Sequence, residues 1–309
     1  MTCQEYTFLT LSQKIAKMTI PTATFDAKHL CTENFVSATV YYPTTGESLP
    51  SIVLVGGWMC GEKVLSAWAP YFASHGIVVM TIGNPSPSED EPSARCLSLL
   101  DASKALQTEN EREGSVLFGR LDITNRAVMG YSIGGGGALR AANDDPTLKC
   151  AIALAPHSGN FDKSFPEKLT DSVPTLTLVG NKDTDAPAKK HGKKFYDITD
   201  APKLFFEIKG GDHFIVNGPS GGKESDFLRG RELSFWANVT TTILCCGYYF
   251  FPSGFGTGPS GTARDGAKNM AIGEIALAWL QLFLLGDESA RSKLLERPSI
   301  ASNYESKGI

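Results

Sequence analysis

The sequence predicts an α/β fold with one mostly parallel central sheet and helices on both of its faces. Short apolar runs rich in β-formers alternate along the chain with segments of helical spacing, the pattern of parallel strands joined by crossover helices. One of these runs ends in a tight, glycine-flanked turn that opens a helix, as strand-to-helix turns of α/β proteins do. With 309 residues, the chain is long enough to bury a large core within one such domain.

In the first half of the chain, three apolar runs predict strands, because each is short and is bounded by proline, glycine or polar turn residues. Two longer segments between them have helical spacing, and the first is closed by His75-Gly76, a pair typical of helix ends. The predicted elements are the strands 35–42, 51–55 and 77–82 and the helices 64–74 and 93–109.

The second half continues the alternation after the strand that ends at Gly130 and the helix that follows it. From about residue 223 to 268, charges, aromatic residues and a Gly/Pro-rich run interrupt it. We therefore predict a single domain over residues 1–309, with an insertion at about 223–268 before the last helix. The remaining predicted elements are the strands 150–154, 175–179 and 203–208 and the helices 186–196 and 272–283.

Composition and charge disfavour several classes of function. A net charge of −4 argues against nucleic acid as a partner, because little basic surface could displace counterions from phosphates. The longest apolar stretch, 243–251, is far too short to span a membrane. Seven cysteines, odd in number and without C-x-x-C spacing, predict mostly free thiols in a reducing compartment, and neither a zinc site nor a disulfide framework.

The first 17 residues lack an uninterrupted apolar core and carry lysines where a signal peptide is hydrophobic. We therefore expect a cytoplasmic or other intracellular location, or a secreted one if the natural beginning is missing. Met18 is an alternative start.

The clearest chemical motif is Gly130-x-Ser132-x-Gly134, directly after an apolar strand. A residue at the tip of so tight a turn has strained backbone geometry and an exposed side chain. Glycines two positions before and after it are needed because a Cβ there would collide with the neighbouring strand or helix. This context predicts Ser132 as a nucleophile. The same pattern recurs at 218–222 without a preceding strand, so we expect Ser220 to lie in an ordinary loop.

A serine nucleophile needs a base to take its proton and an acid to orient that base. Two later strands end in polar loops at the sheet edge where the serine must lie. In the chain order serine, acid, histidine, His213 is the histidine that follows both a strand and a candidate acid, so it is the predicted base. Asp183 comes first after its strand and is the predicted acid, with Asp185 as the alternative. Asp212 is expected to cap its loop.

The other histidines are expected to have other roles. His29 precedes the motif and His157 precedes the acid, so both break the order. His75 ends a helix, and His191 lies in a charged helix where we expect it to be solvated.

Acyl transfer also needs N–H donors for the developing oxyanion. The backbone N–H of Ile133, directly after the nucleophile, is one predicted donor. The other usually comes from the loop after an early strand, here 56–61, and we predict the N–H of Trp58. The alternative for Trp58 is a core aromatic residue.

Four stretches then carry a family resemblance: 68–79, 128–137, 181–187 and 210–213. They resemble the cutinase and poly(ethylene terephthalate) hydrolase-like family, related to dienelactone hydrolases, in register from about Ser51 to His213 and again over 272–284. The resemblance implies an α/β-hydrolase fold and a carboxylesterase with neither a metal nor an organic cofactor. Ser132, Asp183 and His213 match the family's catalytic triad. Trp58 and Ile133 match its oxyanion-hole positions, where the family has Tyr or Phe and Met.

The departures from the family concern the substrate. Tyr131 stands where the family has His or Trp. His157 stands where the family has a Trp that stacks on the aromatic unit of a polyester, and losing that indole weakens the case for aromatic polyesters. Together with Trp58, these two side chains are expected to shape the acyl pocket. The family's C-terminal disulfide has no counterpart, since no cysteine follows Cys246.

We therefore expect a serine hydrolase that cleaves short-to-medium acyl or polyester-type esters, small or polymeric, through an acyl-serine intermediate. One alternative is a hydrolase of lactones or phospholipid acetyl esters. Another is a non-catalytic α/β-hydrolase-fold protein that binds a partner through 223–268, which the intact serine, aspartate and histidine disfavour. The sequence predicts no particular protein partner.

Overall fold

The computed structural model describes residues 20–89, 91–159, 168–214, 218–219 and 266–309. Nine strands of these ranges form one sheet, in the order β1-β2-β4-β3-β5-β6-β7-β8-β9. The strands are β1 (Thr22–Asp26), β2 (Ser37–Pro43), β3 (Leu49–Val55), β4 (Val78–Gly83), β5 (Leu121–Tyr131), β6 (Cys150–Leu154), β7 (Thr175–Gly180), β8 (Lys203–Ile208) and β9 (Ala301–Lys307).

Six α-helices of the described ranges accompany the sheet, and single 3-10 turns at Lys28–Leu30, Glu62–Leu65 and Glu288–Ala290 add to them. The longest helices are those that cross over between parallel strands or cover the sheet near its end. The helices are α1 (Ala69–Ala73), α2 (Pro92–Thr108), α3 (Ile133–Asp144), α4 (Gly192–Ile198), α5 (Gly266–Phe283) and α6 (Arg291–Leu295).

The predicted α/β class with a mostly parallel sheet is confirmed. Strands β4, β3, β5, β6, β7 and β8 are parallel neighbours, whereas β1, β2 and β9 pair antiparallel at the two sides. Every residue of β3, β4, β6 and β7 is buried, which explains their continuous apolar sequences.

Helices cover both faces of the sheet, as predicted. Successive side chains of a strand point to opposite faces, and along β3 Leu54 packs in one hydrophobic cluster while Val53 packs in another. The first cluster includes Trp279 of α5, and the second includes Leu99 of α2 and Ala138 of α3. The sheet is therefore the central layer of a three-layer core.

Two predicted helices are wrong in extent. The segment 64–74 forms a 3-10 turn and then the short α1, because a continuous helix would need Pro70 to donate a backbone hydrogen bond that proline lacks. The helix predicted at 186–196 begins only at Gly192. The N–H of Ala186 instead donates to the side chain of Asp183, so this stretch belongs to a turn after β7.

The outermost strands β1 and β9 were not predicted. Both are largely polar, and their side chains are mostly half-buried or exposed, so neither has the continuous apolar run of a central strand. The predicted insertion lies outside the described residues except for 266–268, which begin α5, and Ser220 also lies outside them. Among the helices described, none combines the length and apolar character that crossing a bilayer requires.

Candidate active site

The predicted nucleophile lies in the turn between β5 and α3. Ser132 has φ +56° and ψ −119°, a left-handed conformation that side chains other than glycine rarely adopt. Its N–H donates to the carbonyl of Leu154 at 2.9 Å, and its carbonyl accepts from the N–H groups of Gly136 and His157 at 3.1 and 2.9 Å. The strained turn predicted from the sequence is thus present and is held by its neighbours on both sides.

Close backbone approaches explain the two flanking glycines. A Cβ on Gly130 would lie 1.9 Å from the carbonyl oxygen of Gly134. A Cβ on Gly134 would lie 2.5 Å from the carbonyl oxygen of Gly56, in the loop after β3. Both obstacles are backbone atoms, which cannot rotate away as a side chain can. The collisions expected from the motif therefore occur at both positions.

Gly130→Ala is expected to lower the free energy of unfolding by about 3 kcal/mol or more, because the start of α3 must shift to admit the new Cβ. The measurement is a urea titration of both proteins. Gly119→Ala is the matched control: Gly119 has φ +67° with no atom within 4 Å of the added carbon. It should lose only the roughly 1 kcal/mol of a strained backbone. Equal losses in the two variants would contradict the collision at Gly130.

The three predicted catalytic side chains form one chain of hydrogen bonds. The Nε2 atom of His213 lies 3.0 Å from the Oγ of Ser132, and its Nδ1 lies 2.7 Å from an Oδ2 oxygen of Asp183. Each of the three residues is less than 10% exposed, at 8%, 9% and 7% for Ser132, His213 and Asp183. A serine, an imidazole and a carboxylate in this order can transfer the serine proton to the imidazole.

The acid and the base stand on two loops that are tied together. The loop after β7 carries Asp183, whose Oδ1 accepts from the N–H groups of Asp185 and Ala186 at 2.9 and 2.7 Å. The Lys182 N–H donates to the carbonyl of Gly211 at 2.7 Å, in the loop after β8 that carries His213. These bonds fix the separation of carboxylate and imidazole within the fold.

The loop after β3 approaches the nucleophile at Gly57, where a Cβ would lie 2.7 Å from the Cβ of Ser132. Trp58 is 39% exposed and its Nε1 donates to the carbonyl of Ser88 at 3.0 Å, so the alternative that it is a core aromatic residue is wrong. Ile133 is the first residue of α3, where backbone N–H groups lack partners within the helix. The Trp58 and Ile133 N–H groups remain predicted oxyanion donors.

Comparison with known proteins identifies the family. A family model described as PET hydrolase-like matches residues 13–225, more than half of the chain. The chain belongs to this family. The matched range includes the whole stretch from Ser51 to His213 over which the sequence resembles it.

Several named relatives resemble this PET hydrolase-like protein. Cutinase 1 of Thermobifida cellulosilytica is 34% identical over 197 residues, 63% of this chain and 72% of the relative. A cutinase of Thermobifida fusca is 34% identical over 197 residues, 63% of this chain and 62% of the relative. A bis(hydroxyethyl) terephthalate hydrolase of Streptomyces coelicolor is 34% identical over 192 residues, 61% and 58%. The chain thus spans less than two thirds of the length of the Thermobifida fusca and Streptomyces coelicolor relatives. The predicted family is confirmed, and the predicted class of serine ester hydrolase is supported.

In this PET hydrolase-like protein, two histidines stack beside the nucleophile. The ring centroids of His157 and His191 are 4.1 Å apart with the planes inclined by 26°. The Nδ1 of His157 accepts from the Gly159 N–H at 3.0 Å, and the Nδ1 of His191 accepts from the Ser158 N–H at 3.2 Å. The expectation that His191 is solvated within a helix is wrong, because it precedes α4 and packs on His157. Its distance of 34 positions from His157 left no local signal of this contact.

Tyr131 is buried, and its ring centroid lies 5.1 Å from that of His213. It therefore packs on the candidate base.

Asp212 accepts from the N–H of Phe214 at 2.9 Å, as expected of a loop-capping carboxylate. His29 bonds Glu109 and His75 bonds the carbonyl of Tyr71, so both have structural partners. Within the described ranges, His, Cys, Asp and Glu side chains nowhere gather in a group of three or more suited to a metal ion.

Burial, together with the neighbouring rings of His191 and His213, lowers the pKa of His157 to about 4, although Asp183 acts in the opposite direction. Between pH 6.5 and 4 the unfolded chain binds a proton that the folded protein excludes, so stability falls as the pH is lowered through this window. Allowing for partial exposure, we expect His157 to contribute on the order of 2 kcal/mol to this loss. Urea titrations at pH 7 and pH 4.5 should show a smaller loss in His157→Gln. An unchanged pH dependence in that variant would contradict a neutral His157.

Proposed function

We propose that this chain hydrolyses carboxylic esters through a covalent acyl intermediate on Ser132. The observation that carries the proposal is the continuous hydrogen-bonded chain from Ser132 through His213 to Asp183, which starts at a strained strand-to-helix turn. Membership in the PET hydrolase-like family and the ester-hydrolase names of its relatives support the same reaction.

In the first half of the reaction, Ser132 Oγ attacks the acyl carbon while Nε2 of His213 takes the hydroxyl proton. Asp183 accepts the hydrogen bond from Nδ1 and stabilises the imidazolium that forms. The backbone N–H groups of Trp58 and Ile133 hold the negative oxygen of the tetrahedral intermediate. His213 then gives its proton to the leaving alcohol, and the acyl group remains on Ser132.

In the second half, a water molecule attacks the acyl carbon and His213 takes its proton. A second tetrahedral intermediate collapses, Ser132 Oγ leaves and receives the proton back from His213, and the carboxylic acid is released. Each proton therefore passes through the same imidazole nitrogen, which lies 3.0 Å from the serine oxygen.

The proposed substrates are short-to-medium acyl esters and polyester-type esters, small or polymeric. Trp58 and the stacked pair of His157 and His191 lie beside the nucleophile and are proposed to line the acyl side of the site. An imidazole offers a smaller apolar face than an indole, which favours aliphatic acyl groups over aromatic polyester units. Relative rates with nitrophenyl butyrate and bis(hydroxyethyl) terephthalate test this preference. Faster turnover of the terephthalate would contradict it.

Labelling with a fluorophosphonate probe, followed by peptide mapping, tests the activated nucleophile. We expect the probe on Ser132, and the peptide that contains Ser220 serves as the internal control because it should stay unlabelled. A folded protein that reacts at neither serine, or at Ser220 alone, would overturn the proposal.

We further propose that residues 1–309 form a single domain, with 223–268 as an insertion. Support comes from β9, which pairs with β8 after the insertion and so returns the chain to the same sheet. One cooperative thermal transition is expected by calorimetry, and two separate transitions would contradict this proposal.

We also propose an intracellular location. Its support is the set of free thiols, which are typical of reducing compartments. Fractionation of the natural host, with detection by antibody, tests this location, and recovery of the protein from the medium would contradict it. The free cysteines of the described ranges are Cys31, Cys60, Cys96 and Cys150.

A further inference from the structure

Arg95, in the first turns of α2, is fully buried although it carries a charge. Its guanidinium donates to backbone carbonyls from two loops that end near the nucleophile. Within the described part of the chain, all of its hydrogen bonds go to carbonyls and none to a carboxylate. The acceptors are Gly57 at 3.2 Å, Pro87 at 3.1 Å and Glu89 at 3.2 Å for Nη2 and Ser86 at 3.5 Å for Nη1.

A buried guanidinium without a bonded carboxylate is costly for the fold. Burial lowers the pKa of Arg95 to about 10, so that the group still carries its charge at neutral pH. Removing such a charge from water is strongly unfavourable unless hydrogen bonds compensate it. The positions of the carbonyls that Arg95 binds therefore indicate which part of the structure its charge stabilises.

The most informative of these carbonyls is that of Gly57. It belongs to the same peptide unit as the N–H of Trp58, the predicted oxyanion donor. In a planar trans peptide, the C=O and the N–H point in opposite directions. Arg95 donates to this carbonyl from α2, and the N–H of Cys60 in the same loop also donates to it at 3.3 Å. The N–H of Trp58 is therefore turned away from α2. Gly57 itself lies against Ser132, where a Cβ would approach the serine Cβ to 2.7 Å.

Further contacts fix this peptide relative to the nucleophile. The N–H of Met59 donates to the carbonyl of Pro87 at 2.7 Å, so the loop that carries Trp58 is bonded to the same loop as Arg95. A Cβ on Gly137 of α3 would lie 2.6 Å from the Cβ of Arg95. Gly137 is the last glycine of the four-glycine run. Because it has no side chain, Arg95 can pack directly against α3, the helix that follows the nucleophile.

We propose that Arg95 is a positioning residue for the oxyanion hole: it fixes the Gly57–Trp58 peptide so that the N–H of Trp58 faces the site of the developing oxyanion. The inference rests on the proposed ester hydrolysis and adds a determinant of its rate. Arg95 does not touch the substrate, and it acts through the peptide that does.

The test compares Arg95→Met, which keeps the chain length without donors, with Arg95→Lys and with Arg126→Met. Arg126 is the matched control because its guanidinium is also held by the fold, through Ser103 and Asp145, but in the middle of β5, six residues before the nucleophile. We expect Arg95→Met to lower kcat for nitrophenyl butyrate about 100-fold with KM within about threefold, as loss of an oxyanion donor does. Arg95→Lys should lose about tenfold, since an ammonium cannot reach all of these carbonyls. Arg126→Met should keep the wild-type kcat.

Wild-type kcat in a folded Arg95→Met, or an equal fall in Arg126→Met, would overturn the inference. If Arg95→Met does not fold, Arg95→Lys decides alone, and a wild-type kcat there would overturn it. If the wild type neither hydrolyses esters nor reacts with the fluorophosphonate, the proposed function fails by itself. A crystal structure of Arg95→Lys or Arg95→Met then decides the inference: a rotated Gly57–Trp58 peptide supports it, and an unmoved peptide overturns it.

Discussion

Ser132→Ala is expected to lower kcat for nitrophenyl butyrate by about a millionfold, the loss seen when a serine nucleophile is removed from an intact triad. Without Oγ, His213 has no hydroxyl to deprotonate, and hydrolysis must proceed by direct attack of water. The proposed oxyanion donors stay in place, so the residual rate should still exceed that of uncatalysed hydrolysis in water by about a thousandfold or more. Initial rates at high enzyme concentration would measure both values.

The variant should fold as well as the wild type. The backbone strain at φ +56° is similar for alanine and for serine, so the exchange leaves the turn unchanged. Ser220→Ala, in the other G-x-S-x-G match, is the control and should keep the wild-type rate. Activity retained in Ser132→Ala and lost in Ser220→Ala would place the nucleophile in the second match.

Asp183→Asn is expected to lower kcat by about ten-thousandfold. The amide of an asparagine would donate to Nδ1 of His213, which leaves the proton on Nε2. That nitrogen, 3.0 Å from Ser132 Oγ, could then no longer accept the serine proton. Steady-state rates from pH 6 to 9 would measure the loss, and fluorophosphonate labelling of Ser132 should slow in parallel.

Asp185→Asn is the matched control, because it lies two residues away in the same loop. Asp185 supports the acid only through its backbone N–H, which donates to Asp183 at 2.9 Å and survives the substitution. We expect its kcat to stay within about twofold of the wild type. A large loss in Asp185→Asn with a small one in Asp183→Asn would reassign the acid to Asp185.

The parallel centre of the sheet could be predicted because its strands are buried on both faces and therefore consist of continuous apolar residues. The motif at Ser132 could be predicted because its residues are adjacent in the chain and Gly130 is required by a contact only four residues away, although the contact that requires Gly134 is with Gly56 in a distant loop. Strand β9 could not, since its sequence is polar and its pairing depends on β8, almost a hundred residues earlier. The break before α1 followed from Pro70, a local signal that the helical spacing around it concealed.

Within the site, the order of Ser132, Asp183 and His213 along the chain led to the prediction of three side chains that the structure brings within hydrogen-bond distance. Residues whose role depends on folding alone had no such signal. His191 follows lysines in the sequence and gave no sign of the stacking on His157. Arg95 has the spacing of an ordinary helical residue, and only the folded loops bring the carbonyls to it.

The bonds between the loops after β7 and β8 also bear on which parts of the proposed site can change in sequence independently. Asp183 and His213, the proposed proton-transfer pair, lie in the loops after β7 and β8. Trp58 and His157 follow β3 and β6. Among the residues proposed to line the acyl site, Trp58 and His157 therefore stand on other connections than the proposed acid and base, whereas His191 shares the connection after β7 with Asp183. Substitutions at Trp58 or His157 are expected to change the acyl site while the bonds that set the separation of Asp183 and His213 stay in place.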